Sequence, residues 1–222
     1  MGLRFDWDWA FAWEILPRLL EGAWITLQAT VVGFALALAI GLLLALGRRG
    51  PRLLSIPTTV FIEFVRSTPL LVQLYVLYFI LPNFGISMSA FLTGVIGLGL
   101  HYGTYLSEVY RAGIENVPRG QWEAAIALNF GTRTTWKNIV LPQAIPPMLP
   151  AFGNYFIVMF KETPLLSAIT VVELLQTAKI IGSRTFSYVE PYTLVGIIFL
   201  MLSYPAALVV NRLEARFARY RS

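Results

Sequence analysis

The chain of 222 residues has no cysteine, a single histidine, and only 13% charged residues. Without cysteine there is no disulfide framework, no thiol nucleophile and no thiolate metal site. His101 stands without companion ligands, so no metal set is expected. It is six residues from Ser107, which puts the two on different faces of a helix and speaks against a Ser–His dyad. The Gly-x-x-x-x-Gly-Lys-Ser/Thr phosphate loop occurs nowhere, so the chain does not bind ATP through that motif. No nucleophile–base or metal constellation lies within the apolar runs, so the chain is not read as an enzyme and no cofactor is expected.

What fills the space is apolar. Hydrophobic residues make up 57% of the chain, and the charged share is about half the quarter usual in soluble domains. A bilayer-spanning helix needs about 20 mostly apolar residues. Four stretches free of Asp, Glu, Lys and Arg reach that length: Gly22–Gly47, Ser67–Ser107, Asn138–Phe160 and Pro191–Asn211. The second is long enough for two spans, broken at Leu81-Pro82-Asn83-Phe84-Gly85. The expectation is an all-α membrane protein with five transmembrane helices, near Ala23–Leu46, Ile56–Leu81, Met88–Ala112, Ile139 onward, and Tyr192–Val210. Pro142, Pro146, Pro147 and Pro150 predict that the first half of span 4 is not a regular helix. Residues 1–22, with Trp7, Trp9 and Trp13, read as an interfacial lead-in followed by an approach helix from Pro17. Residues 23–212 read as the transmembrane domain and 213–222 as a basic tail. The first apolar run is too long for a cleaved signal peptide and should remain as a span.

The net charge of +5 does not point to nucleic acid, because the basic residues are spread over short loops. Eleven Lys and Arg residues fall in the 1–2 loop, the 3–4 segment and the tail, against five on the other side. The positive-inside tendency then puts the N-terminus outside and the C-terminus in the cytoplasm.

Between spans 3 and 4 lies a polar, basic segment, Gly120 to Gln143. It predicts a short helix starting near Glu123, a break around Asn129–Thr132, and a second helix leading into Pro142. Glu123 is expected in the first turn, where the helix dipole favours a carboxylate. Ala124 and Ala125 have almost no side chain and allow a partner's surface to approach the backbone. A capped amphipathic helix lying on the membrane fits the residues equally well.

Glu123-Ala124-Ala125, with Ile139, Leu141 and Pro142 behind it, resembles the EAA loop of ATP-binding-cassette (ABC) importer permeases. Phe64-Val-Arg-Ser-Thr-Pro-Leu-Leu-Val-Gln73, Glu108-Val-Tyr-Arg-Ala-Gly-Ile114 and Leu141-Pro-Gln-Ala144 look like signatures of the polar amino acid uptake branch. The resemblance implies a type I (MetI-like) permease of the bacterial inner membrane, with residues 113–142 as the cytoplasmic coupling loop. It implies as partners a cytoplasmic ATPase dimer that binds the ATP and a second permease subunit, self or paralogue. A periplasmic or lipid-anchored solute-binding protein and membrane lipid complete the set. Gly120, Glu123, Ala124, Ala125, Asn129 and Gly131 would couple to the ATPase. Where the family usually carries glycine after the Ala-Ala pair, this chain has Asn129; a left-handed residue there would keep the turn, and Gly131 could share the task. Ala-Leu-Asn129 and the run Phe160–Gln176 look most like ectoine/hydroxyectoine permeases, with ordinary polar amino acids such as arginine, glutamine or glutamate as the alternative cargo.

Polar residues inside the apolar runs are functional candidates, because hydrocarbon is costly for them. Glu63 and Arg66, three apart, read as a structural pair or subunit contact. His101 reads as a hydrogen-bonded residue facing the bundle interior, with a cavity-lining role open. Asn154, Lys161, Glu162 and Glu173 lie beyond the proline-rich part of span 4. Two readings stand: a substrate path in which Lys161 and Glu162 meet a zwitterion, or an ion pair satisfied within itself at a re-entrant turn.

Overall fold

Helix after helix forms from these apolar runs. The computed structural model describes residues 7–218. Arg4, Phe5 and Asp6 of the expected lead-in, and Arg219 and Arg221 of the tail, lie outside the described residues. There are nine α-helices among them and no strand: α1 (Trp9–Arg48), α2 (Arg52–Arg66), α3 (Leu70–Tyr75), α4 (Ala90–Glu115), α5 (Arg119–Ala127), α6 (Thr132–Thr135), α7 (Leu141–Glu162), α8 (Leu174–Thr185) and α9 (Val189–Ala218). Short π-helical turns follow α3 (76–80) and α6 (136–140), and 3₁₀ segments cover 81–84 and 163–169.

Several boundaries differ from expectation. No break separates an approach helix from span 1: α1 is one helix of 40 residues, with Pro17 inside it. Span 2 is interrupted at Ser67-Thr68-Pro69, because proline disfavours the α conformation in the residue before it. The turn expected at 81–85 is present, with Gly85 in the left-handed region at φ 82°. Span 4 is the larger correction. Its first half is a regular helix, with Pro146, Pro147 and Pro150 inside α7. The irregular backbone lies instead in the π turn before α7 and the 3₁₀ segment after it. Arg216, expected in a separate tail, continues α9.

Two helices, 9–48 and 189–216, are each long and apolar enough to cross a membrane, and two bent pairs raise the number to four. The remaining candidate, α4, has 26 residues but is diluted by its glycines, His101 and tyrosines.

The chain divides into two compact units. One comprises Met1–Phe34, Pro69–Leu98 and Val158–Pro205. Its core joins Ile15, Leu19 and Ala23 of α1 to Leu174, Ala178 and Ile181 of α8 and to Val195 and Ile198 of α9. The four-residue spacing on α1 makes one apolar stripe. Thr26, fully buried, satisfies its hydroxyl by donating to the Gly22 carbonyl and accepting the Leu174 N–H.

The other unit comprises Ala35–Thr68, Gly99–Ile157 and Ala206–Ser222. Here α1 and α4 approach through small residues. A Cβ on Gly41 would meet the Gly103 carbonyl oxygen at 2.9 Å, and one on Gly103 would meet Ile40 at 2.7 Å. Close backbone approach of this kind is how helices associate where no hydrophobic driving force separates protein from lipid.

Candidate functional site

Pro118 precedes α5 as its N-cap, so the helix starts at Arg119. The expectation of a start near Glu123 is therefore corrected: Glu123 is the fifth helical residue and sits outside the first turn, where the dipole effect has faded. The end of the helix is as expected. Asn129 is left-handed at φ 53°, its N–H donates to the Ile126 carbonyl, and the Phe130 N–H reaches back to the Ala125 carbonyl, both at 2.9 Å. Those two bonds are the Schellman closure, which needs a left-handed residue at that position. Gly131 does not share the task. It has φ −66° and caps α6.

The inner face of α5 is anchored. Trp122 packs with Trp136 edge to face at 5.5 Å, and the Arg49 guanidinium lies 5.7 Å from the Trp136 ring. Both tryptophans sit against a cluster of Ile114, Val117, Val140, Ala144 and Met148. Gln143 donates to Gln121 at 3.2 Å, tying α7 to α5. Ala125 is buried, so its small size serves packing within the chain and not the approach of a partner. Glu123 and Ala124 are exposed, and the Glu123 carboxylate has no partner among the described residues. Beside them Ile126 is 77% exposed and Leu128 65%. Gly120 and Gly131 face open space, where a Cβ would touch nothing within 4 Å. Neither has positive φ, so nothing among the described residues requires glycine at either position.

In the same unit, Glu63 and Arg66 do meet, at 3.9 Å. The stronger centre is one the sequence reading missed. Glu108 on α4 is paired with Arg48 of α1, with Arg111 at 2.8 Å and with Arg66 at 3.7 Å. The signal was present in the spacing of Glu108 and Arg111, which share a helix face. Arg66 also lies 5.2 Å from the Tyr105 ring. His101 is buried, with Tyr102 and Tyr105 rings at 5.4 and 5.2 Å, and Tyr155 of α7 completes the aromatic group. Asn154, one residue before Tyr155, is exposed on α7.

Lys161 is exposed and Glu162 half-buried at the end of α7, in the other unit. Glu173 is not presented to a ligand there. It is fully buried as the N-cap of α8, its two carboxylate oxygens accepting the Leu175 and Gln176 N–H groups at 2.9 and 2.7 Å. A carboxylate so placed satisfies the free amides of the first turn. A feature without a sequence signal adjoins it: Thr170 is left-handed at φ 68°, and its hydroxyl is 3.0 Å from the Tyr78 hydroxyl on the π turn. No group of acids or histidines among the described residues could hold a metal.

Residues 37–219 match the model of the family described as binding-protein-dependent transport system inner membrane component. The chain belongs to that family. Two relatives align with nearly its whole length. A probable amino-acid ABC transporter permease of Sinorhizobium fredii is 45% identical over 97% of this chain and 96% of its own length. The L-cystine transport system permease of Bacillus subtilis is 34% identical, over 99% and 94% respectively. A crystal structure of an amino acid ABC transporter with histidines superposes with a TM-score of 0.88 at 34% identity, over 96% of this chain and all of that one. The all-helical fold is thus that of a type I ABC importer permease, and its family places the chain in the membrane as a multi-pass protein whose work is transport.

Proposed function

We propose that the chain is the permease subunit of an ATP-driven importer of ordinary polar amino acids. The observation that carries the reading is the end-to-end similarity to amino-acid permeases, in sequence and in fold. The narrower ectoine reading rested on Asn129 and the run 160–176; the names of the similar proteins favour amino acids in general, cystine included. Cargo moves through five spans, with α4 as the fifth alongside the two long helices and two bent pairs. The basic asymmetry supports an outside N-terminus and a cytoplasmic α5.

In this reading a cytoplasmic ATPase dimer grips the outer face of α5. Exposed Glu123 and Ala124, the flanking apolar Ile126 and Leu128, and two glycines that the chain itself does not require all suit a surface that a partner covers. A second permease subunit and a solute-binding protein complete the assembly. To the cargo path we assign exposed Asn154 and buried His101 in one unit and, in the other, exposed Lys161 and half-buried Glu162, the polar side chains suited to a zwitterion. The arrangement at Glu63 and Arg66 is structural.

The test is uptake in vesicles that hold the permease with its ATPase and binding protein. ATP-dependent accumulation of labelled glutamine or cystine is expected. Accumulation of ectoine with no amino acid would restore the narrower reading, and uptake without ATP would reject the importer reading.

A further inference from the structure

A notch of about 220 Å³ opens between α1 and α8, lined by Arg18, Glu21, Ile25, Val172, Ile180 and Arg184 among others. Its walls are fixed by close contact. A Cβ on Gly22 would meet the Thr177 hydroxyl at 2.6 Å and the Leu174 Cα at 3.0 Å, so glycine there lets the two helices seat closely. Arg18 stands on one wall and Arg184 on the other, both exposed. Neither guanidinium, nor the Glu21 carboxylate, has an ion-pair partner among the described residues.

We infer that this notch holds the headgroup of a phospholipid that carries both a phosphate and a primary ammonium. Two guanidinium groups without an ion-pair partner among the described residues are suited to one phosphate, which they bind through forked N–H donors. Glu21, three residues from Arg18 and so on the same face of α1, offers a carboxylate to the ammonium. Ile25, Val172 and Ile180 supply the apolar surface on which the glycerol and first methylenes would lie. The volume is below the roughly 300–1,000 Å³ of pockets that engulf a whole small molecule; it fits a headgroup whose chains stay outside. On α1, Trp13 and Trp24 flank the notch in sequence and are 68% and 59% exposed, as indoles are at headgroup level. The inference rests on the membrane location of the family and not on the identity of the cargo.

A free amino acid has the same two charges, and the experiment separates the two. The full-length permease in detergent is titrated with phosphatidylethanolamine, phosphatidylglycerol or phosphatidylcholine, and bound lipid is counted by native mass spectrometry. Phosphatidylethanolamine should be retained at about tenfold lower concentration than phosphatidylglycerol, which lacks the ammonium. The same margin should hold over phosphatidylcholine, whose quaternary ammonium donates no hydrogen bond. E21Q should reduce phosphatidylethanolamine to the level of phosphatidylglycerol, and R18Q/R184Q should lower retention of all three. Equal retention of the three lipids by the unaltered protein overturns the inference, as does an unchanged preference in E21Q. Displacement of the lipid by free glutamine also overturns it and makes the notch a cargo site. Glu21 is exposed, so E21Q decides the matter even where the double variant does not fold.

Discussion

Arg66 lies 3.7 Å from Glu108 on α4 as well as 3.9 Å from Glu63 on its own helix. Glu63 has a 59% exposed side chain and one weak partner, whereas Glu108 is 24% exposed and shared by Arg48, Arg66 and Arg111. Replacing Glu108 by Gln leaves three guanidinium groups without their common counter-charge and should cost about 1.5–3 kcal/mol. Glu63→Gln should cost under about 1 kcal/mol, as exposed pairs do. Thermal unfolding in detergent ranks the two, and an equal loss from both would refute a hub at Glu108.

Neighbouring alanines on α5 should respond to the same change in different ways. Ala124 is exposed, so Ala124→Asp should leave the unfolding midpoint in place and detach the ATPase. Ala125 is buried, and Ala125→Asp places an unpaired charge in a packed site, destabilising the permease itself. Gly120→Leu should follow Ala124→Asp, because open space surrounds that glycine in the isolated chain. Co-purification of the ATPase beside a melting curve separates the two kinds of failure.

The left-handed turn at Asn129 gives a backbone prediction. Asn129→Gly should be neutral or slightly stabilising, since glycine adopts positive φ without strain. Asn129→Val should cost about 1–2 kcal/mol and loosen the end of α5. If valine is tolerated with an unchanged melting curve, the Schellman closure does not control this loop.

Much of this was legible in the sequence, and the misses share a cause. The apolar runs located the helices, and the helix–turn–helix between spans 3 and 4 was read with its turn at Asn129. The start of α5 was missed because Pro118 at the N-cap carries no side-chain acceptor, so the usual Ser, Thr or Asp signal is absent. Pro146, Pro147 and Pro150 were given too much weight, since α7 continues through all three. Ala124 and Ala125 look alike in the sequence, and only packing shows that one is buried. Glu108 was quoted for its motif, but the partners Arg48 and Arg66 come from other helices, and no local spacing brings them together.

Lys161 and Glu173 were grouped in the sequence and should separate in the laboratory. Lys161→Met should raise the KM for uptake about tenfold or more, the loss of one charge-assisted contact, with the melting curve unchanged. Glu173→Ala removes the cap of α8 and should cost about 1 kcal/mol of stability without a selective change in KM. Unchanged uptake in the Lys161 variant would take that residue out of the cargo path.

The chain has no native cysteine, so the claim that α5 receives the ATPase through its outer face can be tested at single positions. A124C and A125C are each introduced alone, and the assembled complex is treated with a short crosslinker that joins the new thiol to lysine amines of the ATPase. A124C is expected to give a permease–ATPase adduct that forms at a rate dependent on ATP, while A125C, facing the core beneath α5, gives none. An adduct from A125C with none from A124C, or none from either in a complex that still hydrolyses ATP and transports, would contradict the account.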